Sequence, residues 1–139
     1  MVELVVGGKG KGKTKILLEK AAEAVQNANG SVVYVDKNNQ HMYELSNKIR
    51  LVDITKYPVK GTEGFFGFIS GMIASNHDLE YVILDSFLTI AGVDRKELVS
   101  AIGLIRNLSE QYSVKFVLSV SLDSEEIPDE IKEYISVAL

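Results

Sequence analysis

Between a valine-rich run, Val2 to Val6, and a segment of helical period beginning at Lys13, the chain carries Gly7-Gly8-Lys9-Gly10-Lys11-Gly12-Lys13-Thr14. This octet constrains the fold more than any other stretch. It fits the spacing G-x-x-x-x-G-K-[ST], and a strand that runs through such a turn into a helix is the context this spacing requires. Glycines at 7, 10 and 12 can adopt backbone angles closed to other residues, so that several N–H groups approach one anion. The helix that starts after Gly12 adds unpaired N–H groups and a partial positive charge, Lys13 adds a mobile cation, and the Thr14 hydroxyl suits a magnesium ion. A ligand-free surface turn would imitate the four fixed positions in on the order of one chain in a few hundred. Lys9, Lys11 and Lys15 bring further charge, which either strengthens anion binding or keeps the turn solvated.

The rest of the chain alternates β-rich apolar runs with helical segments, the pattern of a parallel sheet covered by helices. A helix from Lys13 to Asn27 points Ile16, Leu17, Ala21, Ala24 and Val25 inward and ends at Asn29-Gly30. Ser31 to Val35 is a second strand, completing a β-α-β unit of right-handed crossover. Asp36 to Asn39 follows as a polar turn, and Met42 and Leu45 suggest a short helix within Gln40 to Lys48. Ile49 to Ile54 reads as a third strand. Glu63 to Ser75 is a helix apolar over more than one face, which must be buried or sit at an interface. Its Gly64, Gly67 and Gly71 would admit a close neighbour, either within the fold or in a second copy of the chain. Tyr81 to Leu84, a helix over Arg95 to Tyr112, Val114 to Val120, a helix near Pro128 to Tyr134 and an edge strand at Ser136 to Leu139 complete the order. Leu98, Ile102, Ile105 and Leu108 form the inward stripe of the later helix.

Composition narrows the function classes. The 139 residues suit one domain, residues 1–139, with 46% hydrophobic and 24% charged residues as in globular proteins. No apolar run reaches the roughly 20 residues of a membrane span and no secretory signal opens the chain, so a cytoplasmic location is expected. The absence of cysteine excludes disulfides and thiolate metal sites, while His41 and His77 are too few for a zinc cluster, which leaves oxygen ligands for any metal. A net charge of -4 speaks against nucleic acid as a partner.

A second acidic point lies at Asp85, at the end of the apolar run Tyr81-Val82-Ile83-Leu84. Open parallel sheets bind ligands at the C-terminal ends of their strands. Asp85 would therefore face the glycine loop and hold Mg²⁺ through water beside Thr14.

With Gly7 to Thr14 and Tyr81 to Asp85 placed, the chain resembles the RecA-like and KaiC-like branch of P-loop NTPases. It is also similar to short bacterial ATP-binding proteins labelled as twitching-motility or PilT-like. The resemblance implies a three-layer α/β fold with a mostly parallel central sheet flanked by helices. With the Ile49 to Ile54 run set aside as an extra edge element, it implies a strand order of 5-1-4-3-2. Gly7, Gly8, Lys9, Gly10, Lys11, Gly12, Lys13 and Thr14 would then hold ATP, with Mg²⁺ on Thr14 and Asp85. Either Ser119 or Ser121 matches the polar sensor aimed at the γ-phosphate, or the pair belongs to an exposed turn. The branch commonly places a catalytic glutamate after the second strand or beside the metal-binding aspartate. Here the second strand ends Val35-Asp36-Lys37, and Asp85 is followed by Ser86. Asp36 is thus the only carboxylate at the matching point, either orienting water while Lys13 stabilises the β- and γ-phosphates, or forming a turn.

The two leading readings are a magnesium-dependent, slow NTP hydrolase and a catalytically weak ATP-dependent regulatory or assembly module, with self-association as its outcome. Lys37-Asn38-Asn39 is not a guanine-reading Asn-Lys-x-Asp pattern, so ATP is favoured over GTP.

Overall fold

The computed structural model describes residues 1–139. In chain order the elements are β1 (Val2–Val6), α1 (Lys13–Asn27), β2 (Ser31–Asp36), β3 (Ile49–Asp53), α2 (Gly61–Ser75), β4 (Leu79–Leu84), α3 (Phe87–Ile90), α4 (Leu98–Tyr112), β5 (Lys115–Val120) and β6 (Ile135–Ala138). Short 3-10 turns precede α4 and β6.

All strand pairs are parallel, in the order β3-β2-β4-β5-β1-β6. This is the order 5-1-4-3-2 inferred from the sequence, read in reverse, with the Ile49 run added outside β2. The expected fold class is therefore borne out: an α/β architecture with a parallel central sheet between helical layers.

Strand alternation sorts side chains between the two layers. Val5, Val32, Tyr34, Ile83 and Val117 pack on Leu17, Ala21 and Ala24 of α1. Leu4, Val6, Val33, Val35, Val82, Leu84, Phe116 and Leu118 turn to the opposite face, where Phe65, Ile69 and Ile73 of α2 and Leu98, Ile102 and Ile105 of α4 complete the larger core. Both α2 and α4 thus use a spacing of three or four residues for their buried stripe. Gly64 backs onto Val59, whereas a side chain at Gly67 or Gly71 would meet open space, so nothing within the chain covers those two glycines.

Two helical expectations give way to turns. Between Asp36 and Ile49 there is no helix: the Asn38 side chain accepts from the Gln40 amide and Ser46 Oγ from the Lys48 amide, local bonds that compete with helix formation. Met42 is exposed there rather than inward. Near the C-terminus, Asp129–Tyr134 is a 3-10 segment that buries only Ile131, too little apolar surface to sustain an α-helix. Similarly, α4 starts at Leu98 rather than Arg95, because the Glu97 carboxylate accepts from the Asp94 amide and holds the preceding turn. No helix is long and apolar enough to cross a membrane.

Candidate functional site

The C-terminal ends of β1, β2, β4 and β5 open into a cleft of about 420 Å³. Its wall contains no hydrophobic residue and includes Lys9, Gly10, Gly12, Lys13, Thr14, Lys37, Asp85, Ser86, Thr89 and Ser121. The sequence-predicted loop residues Lys9, Gly10, Gly12, Lys13 and Thr14 thus meet the predicted acid, Asp85, in one place. The cause is topological: the β1 strand lies beside β5, and β5 beside β4, so the loop after β1 and the aspartate after β4 share one sheet edge.

The loop is shaped at both ends. The Gly7 amide donates to the Leu122 carbonyl at 2.8 Å and the Gly8 amide to Asp123 Oδ1 at 3.1 Å. Gly7 and Gly8 therefore tie the loop to the chain after β5 rather than presenting free amides. Gly10 and Gly12 have φ of 81° and 91°, the left-handed region that a Cβ disfavours. From Lys9 to Gly12 no main-chain amide donates to any protein acceptor. Helix α1 then begins with Gly12 as its cap and without a capping side chain. Its first turn contains no acid, and Lys13 and Lys15 stand where the helix dipole disfavours positive charge, by about 0.3–1 kcal/mol each. Left to itself this is a poor helix start. An anion in the cleft satisfies the amides, the dipole and the lysines together.

Lys13 is 8% exposed, and its ammonium donates to the Gly8 carbonyl at 3.0 Å. Burial lowers its pKa from the usual lysine range, opposed by the carboxylates of Asp85 and Asp123. Lys11 stands exposed and off the wall.

Asp85 is buried and fully oriented. Tyr34 Oη donates to its Oδ2 at 2.8 Å, and Ser119 Oγ donates to its Oδ1 at 2.9 Å. Strand parity explains the trio: Tyr34, Ser119 and Asp85 all fall on the α1 side of neighbouring strands β2, β5 and β4. Burial, joined by the charge of Asp85 and the hydrogen bond to it, pushes the Tyr34 hydroxyl pKa well up, so it stays a donor. Ser119 also accepts from the Ser86 amide at 2.7 Å, which holds Ser86 in a left-handed conformation with φ 60° at the turn into α3. Ser119 does not line the cleft; of the two serines weighed as a phosphate sensor, Ser121 stands on the wall. Thr14 and Asp85 both stand on the wall with oxygen atoms that could hold Mg²⁺, a hydroxyl and an oriented carboxylate, and Ser86, Thr89 and Ser121 add further hydroxyls.

Asp36 lies at the end of β2, 4% exposed, and its Oδ1 accepts from the Lys37 amide at 2.7 Å. It is not on the cleft wall, so the residue matched to a water-orienting role is held as part of the strand end. Burial raises its pKa to about 6, aided by the Asp85 charge and opposed by the Lys37 amide. A carboxyl whose folded pKa exceeds its unfolded value near 3.8 loses stability as pH rises through that interval. Asp36→Asn is accordingly expected to match the native protein near pH 4 and to exceed it by about 3 kcal/mol above pH 7, measured by urea unfolding at both pH values. An equal difference at both would mean that the Asp36 charge is not under strain.

Sequence reasoning missed Tyr34, Asp123 and Lys37, and gave Ser86 and Thr89 of the wall no place in the site. A tyrosine in the middle of a buried strand was a usable signal, since its hydroxyl must find a partner. Asp123 and Lys37 carried none beyond their turn positions.

No protein-family model matches the sequence, and no curated protein matches it. Among solved structures, the chain is similar to domain III of the replication initiation protein DnaA from Thermotoga maritima, at 15% identity and a TM-score of 0.45. The alignment covers 99% of this chain and 54% of that one, so the chain spans about half the length of that structure.

Proposed function

We propose that the cleft binds the polyphosphate of a nucleoside triphosphate, ATP before GTP, together with Mg²⁺. The observation that carries this reading is the set of amides from Lys9 to Gly12 that donate to nothing in the protein, continued by an uncapped α1 start under Lys9 and Lys13. In this reading Gly10 and Gly12 let the backbone curl round the β-phosphate, and Lys13 leaves the Gly8 carbonyl for the β- and γ-phosphates. Thr14 and Asp85 hold the magnesium, Asp85 through water. The ion's chemistry is to neutralise phosphate charge.

The position of Asp36 favours binding with little turnover over rapid hydrolysis. Its carboxylate is engaged with the Lys37 amide and off the cleft wall, and no arginine lines the cleft. A site lacking both a water-orienting group and an arginine has an intrinsic rate on the order of 10⁻³ s⁻¹ or below. The chain then acts as a nucleotide-dependent module, with a conformation or self-association set by the bound triphosphate. The open glycine face of α2 is compatible with contact between copies.

Calorimetric titration of ATP, GTP and ADP in the presence of Mg²⁺ tests the reading, with phosphate release followed on the same samples. Saturable binding of ATP with release at or below that slow rate is expected. Absence of saturable binding by all the nucleotides would remove it.

A further inference from the structure

Lys37 is a cation without a partner in the protein: its ammonium makes no hydrogen bond and no ion pair, yet it stands on the cleft wall. Its place in the sheet gives that charge a direction. The glycine loop leaves β1, whereas Lys37 leaves β2, and β5 and β4 lie between them. With neighbouring strands about 4.8 Å apart, the two ends of the cleft are separated by roughly 14 Å. Asp85, at the end of β4, stands between. A phosphate chain whose inner members rest on the loop amides and whose magnesium faces Asp85 therefore extends its outermost phosphate toward β2.

The anchoring of Lys37 suits this role. Its main chain is tied down by Asp36 Oδ1 at 2.7 Å, and Asp36 is itself buried at the end of a strand paired on both sides. The backbone is thus fixed while the exposed side chain stays free to follow a charge. The other mobile cations cannot serve that end of the cleft. Lys13 and Lys9 belong to the loop side, and Arg50, Arg95 and Arg106 are all absent from the wall.

Resting on the polyphosphate reading above, we infer that Lys37 is the residue that distinguishes a nucleoside triphosphate from a diphosphate, by pairing its ammonium with the terminal phosphate. The pairing is made within one chain and requires no second subunit. It also couples the terminal phosphate to the β2 end and to the turn that follows, residues 37–48, so loss of that phosphate releases the main restraint on the Lys37 side chain.

The test compares affinities for a non-hydrolysable ATP analogue and for ADP, both with Mg²⁺, in the native protein, Lys37→Ala and Lys37→Arg. Lys37 is exposed, so neither substitution disturbs the core. The expected result is a loss of about tenfold or more in analogue affinity for Lys37→Ala, the size of one charge-assisted contact, with ADP affinity changed less than twofold. Lys37→Arg keeps most of the preference. Equal losses for both ligands in Lys37→Ala, or no loss for either, would overturn the inference while leaving nucleotide binding intact. Failure of the native protein to bind ADP and the analogue alike would instead overturn the polyphosphate reading, and this inference with it.

Discussion

Lys13→Ala is expected to weaken ATP binding by at least about 100-fold while leaving the fold intact. The ammonium sits over the loop, 8% exposed, and its present acceptor is only the Gly8 carbonyl at 3.0 Å. Exchanging that neutral carbonyl for anionic phosphate oxygens replaces one bond of the ammonium to a dipole by bonds in which both partners are charged, each up to about 3 kcal/mol. Two such contacts, less the Gly8 bond given up, still reach the roughly 2.7 kcal/mol that corresponds to 100-fold in affinity. The cost to folding is small by comparison. Lys13 opens α1, where alanine is a good helix former, and its removal takes away a charge that burial and the helix dipole both disfavour. Calorimetry of the variant, paired with thermal unfolding, separates the two effects. ATP affinity unchanged beside a native unfolding temperature would show that the loop does not hold the phosphates.

How much of this was legible beforehand follows the distance over which each contact acts. The octet and the helix after it are local features, and the strand bounds Val2–Val6 and helix bounds Lys13–Asn27 follow from local pattern alone. Strand order was legible through the octet and the Asp85 strand taken together, because both must end on one edge of one sheet. The contacts that orient the site are not local. Tyr34 and Asp85 are 51 residues apart, Ser119 and Asp85 34, and Gly8 and Asp123 115. None of these pairs leaves a trace in spacing, because each depends on register between strands that are distant in sequence. Ser119 illustrates the point. Its neighbour Ser121 has the same chemistry two residues on, but Ser119 sits beside the end of β4, where Asp85 captures its hydroxyl, whereas Ser121 has passed the end of β5 into the cleft.

The same geometry makes the site's acid and its scaffold one unit. Asp85 is held from two strands, β2 through Tyr34 and β5 through Ser119, and Ser119 in turn fixes the Ser86 amide at the start of α3. Any ligand that draws on the Asp85 carboxylate therefore acts on three adjacent strand ends. On the loop side, Asp123 ties Gly8 to the chain after β5, and Glu126 accepts from the Asp123 amide at 2.9 Å while pairing with Arg95 at 2.6 Å. The cleft is thus braced by polar contacts on both flanks, although its own wall carries unpaired amides.

That arrangement allows the two roles of Asp85 to be separated by substitution. Asp85→Ala removes the acceptor of two buried hydroxyls, Tyr34 Oη and Ser119 Oγ, and unsatisfied buried groups cost about 1–3 kcal/mol each. A loss of about 3 kcal/mol in unfolding free energy is expected, read from urea denaturation. Asp85→Asn keeps the shape and an oxygen acceptor, and its amide group can donate to whichever hydroxyl turns to accept, so most of that stability returns. The negative charge does not return. With magnesium held through Asp85, the native protein gains ATP affinity on adding Mg²⁺, and Asp85→Asn is expected to lose about tenfold or more of that gain while binding metal-free ATP no more weakly than the native protein does. Removing a carboxylate beside phosphates relieves repulsion when no metal intervenes. An Asp85→Asn protein that is stable but shows the full native response to Mg²⁺ would confine Asp85 to bracing Tyr34 and Ser119, and the metal would have to be sought at Thr14 and the phosphates alone.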